Sequence, residues 1–223
     1  MSKLDDNELA RCLPVHSLMS LAGDALPEPD EFSATVKGVC RFPPCRDSLV
    51  RGLQADLRAQ CSSNIQSGEY AQTFRTALYI LDNYAPLRNA TCVQSKEGGL
   101  CAAETYTKIY PSAKNTPHSQ LLEKIPPNEL CSECNKGIVT VLLQADRARP
   151  GKLLDASTAK NVSARISDTC GKDYLDGNTN TISGDQAHAT SSGTSLMHYA
   201  YLAALPVMTT TAAAVATIFS VLC

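Results

Sequence analysis

The chain has 223 residues, 43% of them hydrophobic but only 5% aromatic, with no tryptophan, ten cysteines and a formal net charge of −2. That composition fits one medium domain with appendages rather than two full domains. Twenty Lys and Arg against twenty-two Asp and Glu leave no basic field to hold a phosphate backbone, which argues against nucleic acid as a partner.

From the N-terminus, Asp5, Asp6, Glu28, Asp30 and Glu31 gather around Pro27 and Pro29 and read as a solvated loop. After the turn Phe42-Pro43-Pro44, the residues Cys45, Leu49, Leu53, Leu57 and Cys61 recur every fourth position. One helix with a cysteine at each end of its buried stripe is predicted there. A second helix, starting near Ser67, carries Tyr70, Phe74, Ala77, Leu78 and Leu81 on one face and ends over Asn83 to Pro86. Residues 87–127 hold no sustained period and contain Gly98, Gly99, Pro111 and Pro117, the pattern of a long irregular loop with one short strand. A third helix follows Pro126-Pro127, with Asn128 as N-cap and Leu130, Cys131, Cys134, Ile138, Val141 and Leu142 on one side, and Arg149-Pro150-Gly151 closes it. The fourth runs from about Asp155 to Cys170 through Ala156, Ala159, Val162 and Ile166. No internal repeat stands out. The predicted fold is mainly α, a small disulfide-stapled helical bundle over residues 1–175.

Nine cysteines lie in that body: Cys12, Cys40, Cys45, Cys61, Cys92, Cys101, Cys131, Cys134 and Cys170. A zinc site would need two close pairs or a pair with nearby histidines. Only Cys131 and Cys134 form CxxC, and His16, His118, His188 and His198 show no ligand spacing, so no metal and no cofactor is expected. Scattered cysteines at irregular separations read instead as disulfide staples from an oxidising compartment, supplementing a core poor in large aromatics. Even eight paired cysteines allow about 105 connectivities, so the partners stay open. Asn89-Ala90-Thr91 and Asn161-Val162-Ser163 agree with that compartment, since both are acceptor triplets for N-glycosylation; Asn89 lies in a turn-like stretch.

The charge is unevenly distributed. Every charged residue lies at or before Asp185, so residues 186–223 carry no Asp, Glu, Lys or Arg. Residues 176–195 are rich in Gly, Ser, Thr, Asn and Ala and read as a flexible spacer. Residues 196–223 are apolar throughout, but Pro206 and three consecutive threonines interrupt them. A small-residue site, a polar spacer and a hydrophobic tail make the attachment pattern of a glycosylphosphatidylinositol (GPI) anchor, with Ser192 or Gly193 as the attachment residue. Ser183 and Gly184 are a second choice, and an ordinary single-span anchor is the alternative. Met-Ser-Lys-Leu-Asp-Asp-Asn-Glu is no secretory signal. Read literally, the chain would be tail-anchored with its body in the cytosol. Nine body cysteines and two acceptor triplets favour instead a start placed downstream of the natural one, with a partner cysteine upstream.

Catalytic signatures are sparse. Cys131-Ser132-Glu133-Cys134 at a helix start could cycle between dithiol and disulfide, but no thioredoxin-type strand precedes it, and the staple role is the better reading. There is no GxSxG, HExxH, GxxxxGK[ST] or GxGxxG motif. His16, close to Cys12, reads as a boundary residue, and Arg147, Arg149 and Lys152 read as a charged helix end. No catalytic residue is assigned and the chain is not expected to be an enzyme.

The ordered cysteines carry a resemblance. Cys12-Leu13-Pro14, Cys40-x₄-Cys45, the leucine stripe ending in Cys61, Tyr84-Ala85-Pro86-Leu87-Arg88-Asn89-Ala90-Thr91-Cys92, Cys101, Cys131-x₂-Cys134 and Cys170-Gly171 resemble a fungal family of secreted cysteine-rich proteins. Its members look like a signal peptide, one domain of unknown function and a serine-rich GPI-type tail, and they usually carry one further cysteine upstream. The resemblance covers about residues 9–175 and transfers no active site. It implies a GPI-anchored glycoprotein of the cell surface or cell wall, held to the membrane by its tail or lipid, with a wall polysaccharide or surface protein as partner. A thiol oxidoreductase using Cys131 and Cys134 and a tail-anchored membrane adaptor are the alternatives.

Overall fold

The computed structural model describes residues 12–13, 26–62, 71–114, 125–153 and 156–177. The spacer beyond Gly177, the apolar tail with Ser192 and Gly193, Asp5, Asp6, His16 and His118 lie outside the described residues. Within them the fold is mainly helical, as predicted. Eight helices are described: α1 Pro29–Arg41, α2 Asp47–Gln60, α3 Ala71–Asp82, α4 Tyr84–Thr91, α5 Cys101–Ala113, α6 Pro127–Leu130, α7 Glu133–Ala148 and α8 Ala156–Cys170. They fall into two compact units that meet in sequence between Arg88 and Asn89.

In the first unit, the acidic and proline-containing run read as a loop is the start of α1. Pro29 sits at the first helical position, Asp30 and Glu31 occupy the first turn and Arg41 the last. A proline needs no N–H there, and the carboxylates face the positive pole of the helix. Phe32, Thr35 and Val36 form its buried face. The predicted stripe of the next helix stands: α2 buries Val50, Leu53 and Leu57, with Cys45 just before it and Cys61 as its C-cap. It packs on α3, which contributes Phe74, Ala77 and Leu81 to one core with Tyr84. Arg58 and Asp82 pair across these helices at 2.8 Å with both side chains about half exposed, so the pair adds at most about 1 kcal/mol. Asn83 separates α3 from α4 by a single residue, its side-chain amide donating to Tyr79 O at 2.9 Å.

The second unit changes the reading of residues 87–127. The stretch holds the last part of α4, an isolated antiparallel bridge between Gln94 and Leu100, and the helix α5. Gly98, at φ +83°, makes the turn inside that bridge, in a backbone region that favours glycine. Cys101, Ala102, Thr105, Tyr106, Ile109 and Ala113 are buried on α5. Their spacing is helical, but a stripe of small and polar residues carries little hydrophobic contrast, and Pro111 lies in the last turn. Asn128 is not an N-cap. It lies inside the short α6, and Ser132 caps α7 by accepting the Asn135 N–H at 3.3 Å. The chain therefore breaks between Cys131 and Cys134. α7 ends at Arg149 as predicted, with Gly151 at φ +72° beyond it. It is the central helix of this unit: Gly137 to Leu143 are buried without interruption, and α5 packs along it while α6 meets α5 and α8.

Candidate functional site

The cysteines are the chemically distinctive residues, and none of those described is a free thiol. Cys12 bonds Cys45, Cys101 bonds Cys134 and Cys131 bonds Cys170. Cys40, Cys61 and Cys92 are disulfide-bonded as well. The CxxC pair is thus divided, its two sulfurs committed to different helices. Cys134 in the first turn of α7 ties that helix to the first residue of α5, and Cys131 ties the α6–α7 junction to the last residue of α8. Staples, not a dithiol couple, are what this arrangement makes.

Each unit fastens a staple with a tyrosine. In the first, the buried Tyr84 hydroxyl accepts the Cys45 N–H at 3.0 Å and donates to Cys12 O at 3.0 Å, so one phenol joins the backbones on both sides of a disulfide. Burial pushes its pKa up, against opposing contributions from the Cys45 N–H and Arg88. In the second, the Tyr174 hydroxyl lies 2.7 Å from Ser132 O and 3.2 Å from Leu130 O, flanking Cys131. Burial and the nearby Glu133 carboxylate raise its pKa strongly. Lys136 reaches over the Tyr174 ring and pairs with Asp176 at 2.9 Å, fixing the segment after α8. Both phenols are kept neutral and bonded to backbone, which suits positioning rather than proton transfer.

A carboxylate stands beside the Cys101–Cys134 bond. Glu104 Oε2 lies 3.6 Å from Cys134 Sγ, and Glu104 Oε1 accepts from Ser95 Oγ at 3.3 Å. A bonded sulfur carries no proton, so the first is a contact and not a hydrogen bond. Ser95 Oγ also accepts the Gly99 N–H at 3.1 Å. A Cβ on Gly99 would collide with Glu104 Oε1, so a side chain there requires the Glu104 carboxylate to swing away.

The remaining predicted residues are separate from these clusters. Asn89 is half-buried near the end of α4, a helix and not a turn, whereas Asn161 is exposed on α8. Arg147, Arg149 and Lys152 are exposed around the end of α7. Among the described residues no group of three or more His, Cys, Asp or Glu is gathered to hold a metal ion, and no helix is long and apolar enough to cross a membrane.

The cysteine-stapled helical body lies within a known family region: residues 1–180 match a domain of unknown function, DUF7729. The chain belongs to that family. No curated protein and no solved structure matches it. The DUF7729 region takes in all the described residues of both units, and the two share part of one plan. Cys12–Cys45 and Cys101–Cys134 have the same sequence separation, 33. The helix that follows carries Leu53-Gln54-Ala55-Asp56 in the first unit and Leu143-Gln144-Ala145-Asp146 in the second. Tyr84 and Tyr174 each stand 31 residues after the leucine of that tetrapeptide, although Tyr84 clasps the Cys12–Cys45 bond and Tyr174 holds the backbone beside Cys131, which bonds Cys170. This repetition, and with it the matching of the tyrosines, is missed when hydrophobic period alone is read. The tetrapeptide Leu-Gln-Ala-Asp, recurring one residue out of register with the cysteines, is the signal that exposes it.

Proposed function

We propose that this DUF7729 protein is a GPI-anchored cell-surface or cell-wall protein of fungal type, with a structural or recognition role and not a catalytic one. The observation that carries the reading is the pairing of two features on one chain. Every described cysteine is oxidised, a state that persists in secreted and surface compartments and not in a reducing cytosol. Residues 196–223 carry no charge and follow the small, polar spacer 176–195, the composition of a removable attachment signal at Ser192 or Gly193. The division of Cys131 and Cys134 between two staples removes the main support for a thiol oxidoreductase.

Phosphatidylinositol-specific phospholipase C applied to intact cells that produce the full chain tests the reading. Release of a body that keeps the Cys12–Cys45, Cys101–Cys134 and Cys131–Cys170 bonds and ends at Ser192 or Gly193 by mass spectrometry is the expected result. A detergent-requiring protein that retains residues 196–223 would make the tail an ordinary span, and free thiols on a cytosolic body would favour the tail-anchored adaptor; either outcome overturns GPI attachment.

A further inference from the structure

The acceptor asparagines of the two triplets differ in exposure. On α8, with successive residues turning about 100°, the exposed Lys160, Asn161, Ala164 and Asp168 share one narrow arc. Ile166, fully buried, and Cys170, bonded to Cys131, lie on the other side. Asn161 therefore stands on the solvent face of its helix. On α4, Asn89 is half-buried and the other two members of its triplet, Ala90 and Thr91, are 3% and 6% exposed. Cys92, the next residue, is held in a disulfide, and the neighbouring Arg88 is committed to the carbonyl of Phe42.

We propose that Asn161, and not Asn89, carries an N-linked oligosaccharide. The inference rests on the export reading above, because the transfer takes place on the lumenal side. In it, Asn161 Nδ2 forms a bond to the anomeric carbon of a polyprenyl-pyrophosphate-linked oligosaccharide. The bond from that carbon to the phosphate oxygen breaks, the polyprenyl pyrophosphate leaves, and Nδ2 gives up one proton. The triplet is read in an extended form, so transfer has to precede closure of its helix. For Asn161 the closing cysteine, Cys170, comes well after the triplet in the chain. For Asn89 the cysteine follows immediately. A glycan on Asn161 projects into water without displacing core; one on Asn89 grows from a position flanked by core residues.

The test uses the full chain isolated from cells that export it, with wild type, Asn161→Gln and Asn89→Gln compared. Digestion with an N-glycanase in ¹⁸O-water marks each occupied asparagine as labelled aspartate for mass spectrometry. One labelled site, at Asn161, is expected, with the deglycosylation shift lost in Asn161→Gln and kept in Asn89→Gln. Label at Asn89, or a disulfide-bonded surface protein without label at Asn161, overturns the assignment while leaving export standing. Free thiols on a chain that never leaves the cytosol overturn both.

Discussion

Replacing Tyr84 by Phe removes a single oxygen and leaves the ring in the core of the first unit. That oxygen accepts the Cys45 N–H at 3.0 Å and donates to Cys12 O at 3.0 Å, and Cys45 is 6% exposed. A buried N–H that loses its acceptor costs about 1–3 kcal/mol, so the variant should lose roughly 2 kcal/mol. For a chain of this size that corresponds to about 4–8 °C in Tm. Tyr174→Phe makes the same chemical change with a smaller effect. The two carbonyls its phenol meets keep other donors: Leu130 O accepts from Asn135 Nδ2 at 2.5 Å, and Ser132 O accepts the Lys136 N–H at 2.9 Å. Only the net value of a satisfied hydrogen bond is lost, about 1 kcal/mol. Urea denaturation of both variants with disulfides intact, followed by circular dichroism, measures the difference at unchanged m-value. A Tyr174→Phe loss equal to or larger than that of Tyr84→Phe, or a Tyr84→Phe loss below about 0.5 kcal/mol, would refute the reasoning from unmade bonds.

The same phenols make stability fall in alkali. Burial raises both pKa values above the ordinary 10.0, so above that pH the unfolded chain releases protons that the folded chain keeps; the stabilisation is complete below pH 10.0 and is lost as pH rises through the folded values. Denaturation across this range should show a shallower alkaline decline in Tyr84→Phe than in wild type, and equal slopes would count against it. Gly99→Ala forces the Glu104 carboxylate off Ser95 and should cost about 1 kcal/mol; in a Glu104→Ala background it should be neutral or slightly stabilising, because alanine reduces unfolded-state freedom. A double-mutant cycle that finds the same cost in both backgrounds contradicts the contact. Replacing both Cys101 and Cys134 by Ser opens a loop of separation 33, worth about 4 kcal/mol by chain entropy; a loss under about 1 kcal/mol in denaturant titration would deny the staple its role. Arg88→Met strips a guanidinium from the carbonyl of Phe42 at the end of α1, and faster amide exchange over the last turn of α1, with a loss of about 1–2 kcal/mol, is the expected result.

Four helices, α2, α3, α7 and α8, are legible in the sequence because each carries apolar residues at helical spacing together with a clear signal at one end or the other. Those missed lack one or the other. α1 begins with proline and carboxylates, which announce a loop and a helix N-terminus equally well, and only the burial of Phe32 and Val36 decides between them. α5 presents Ala102, Thr105 and Ala113 to its core, residues that hydrophobic period scarcely weights. Asn128 was the nearer capping residue to Pro127, but the break at Cys131 moved the cap to Ser132. For the site, oxidation of the cysteines was legible and their pairing was not, because separation alone does not favour Cys101 over Cys131 as a partner for Cys134. The tyrosine clasps were beyond reach for the same reason: Tyr84 acts on Cys12, 72 residues away.

The repetition of the plan separates what folding requires from what one unit alone possesses. Each unit is small and has few large aromatics to bury, so its apolar area does little more than offset the entropy of ordering it. A disulfide of separation 33 and a phenol bound to nearby backbone occur in both. Both act by restraining the chain, one in the unfolded ensemble and the other in the folded state. Their presence in both units follows from size and composition and says nothing specific about a partner. Glu104 is different. It stands three residues after the first cysteine of its staple, where the first unit has Val15, and it places a carboxylate against the half-buried Cys134 with Gly99 kept small to admit it. Asn161 likewise has no counterpart, since the position 90 residues earlier is Ala71. Features common to the two units are therefore the ones to vary when stability is in question, and features present in one unit only are the ones to vary when a binding partner is sought.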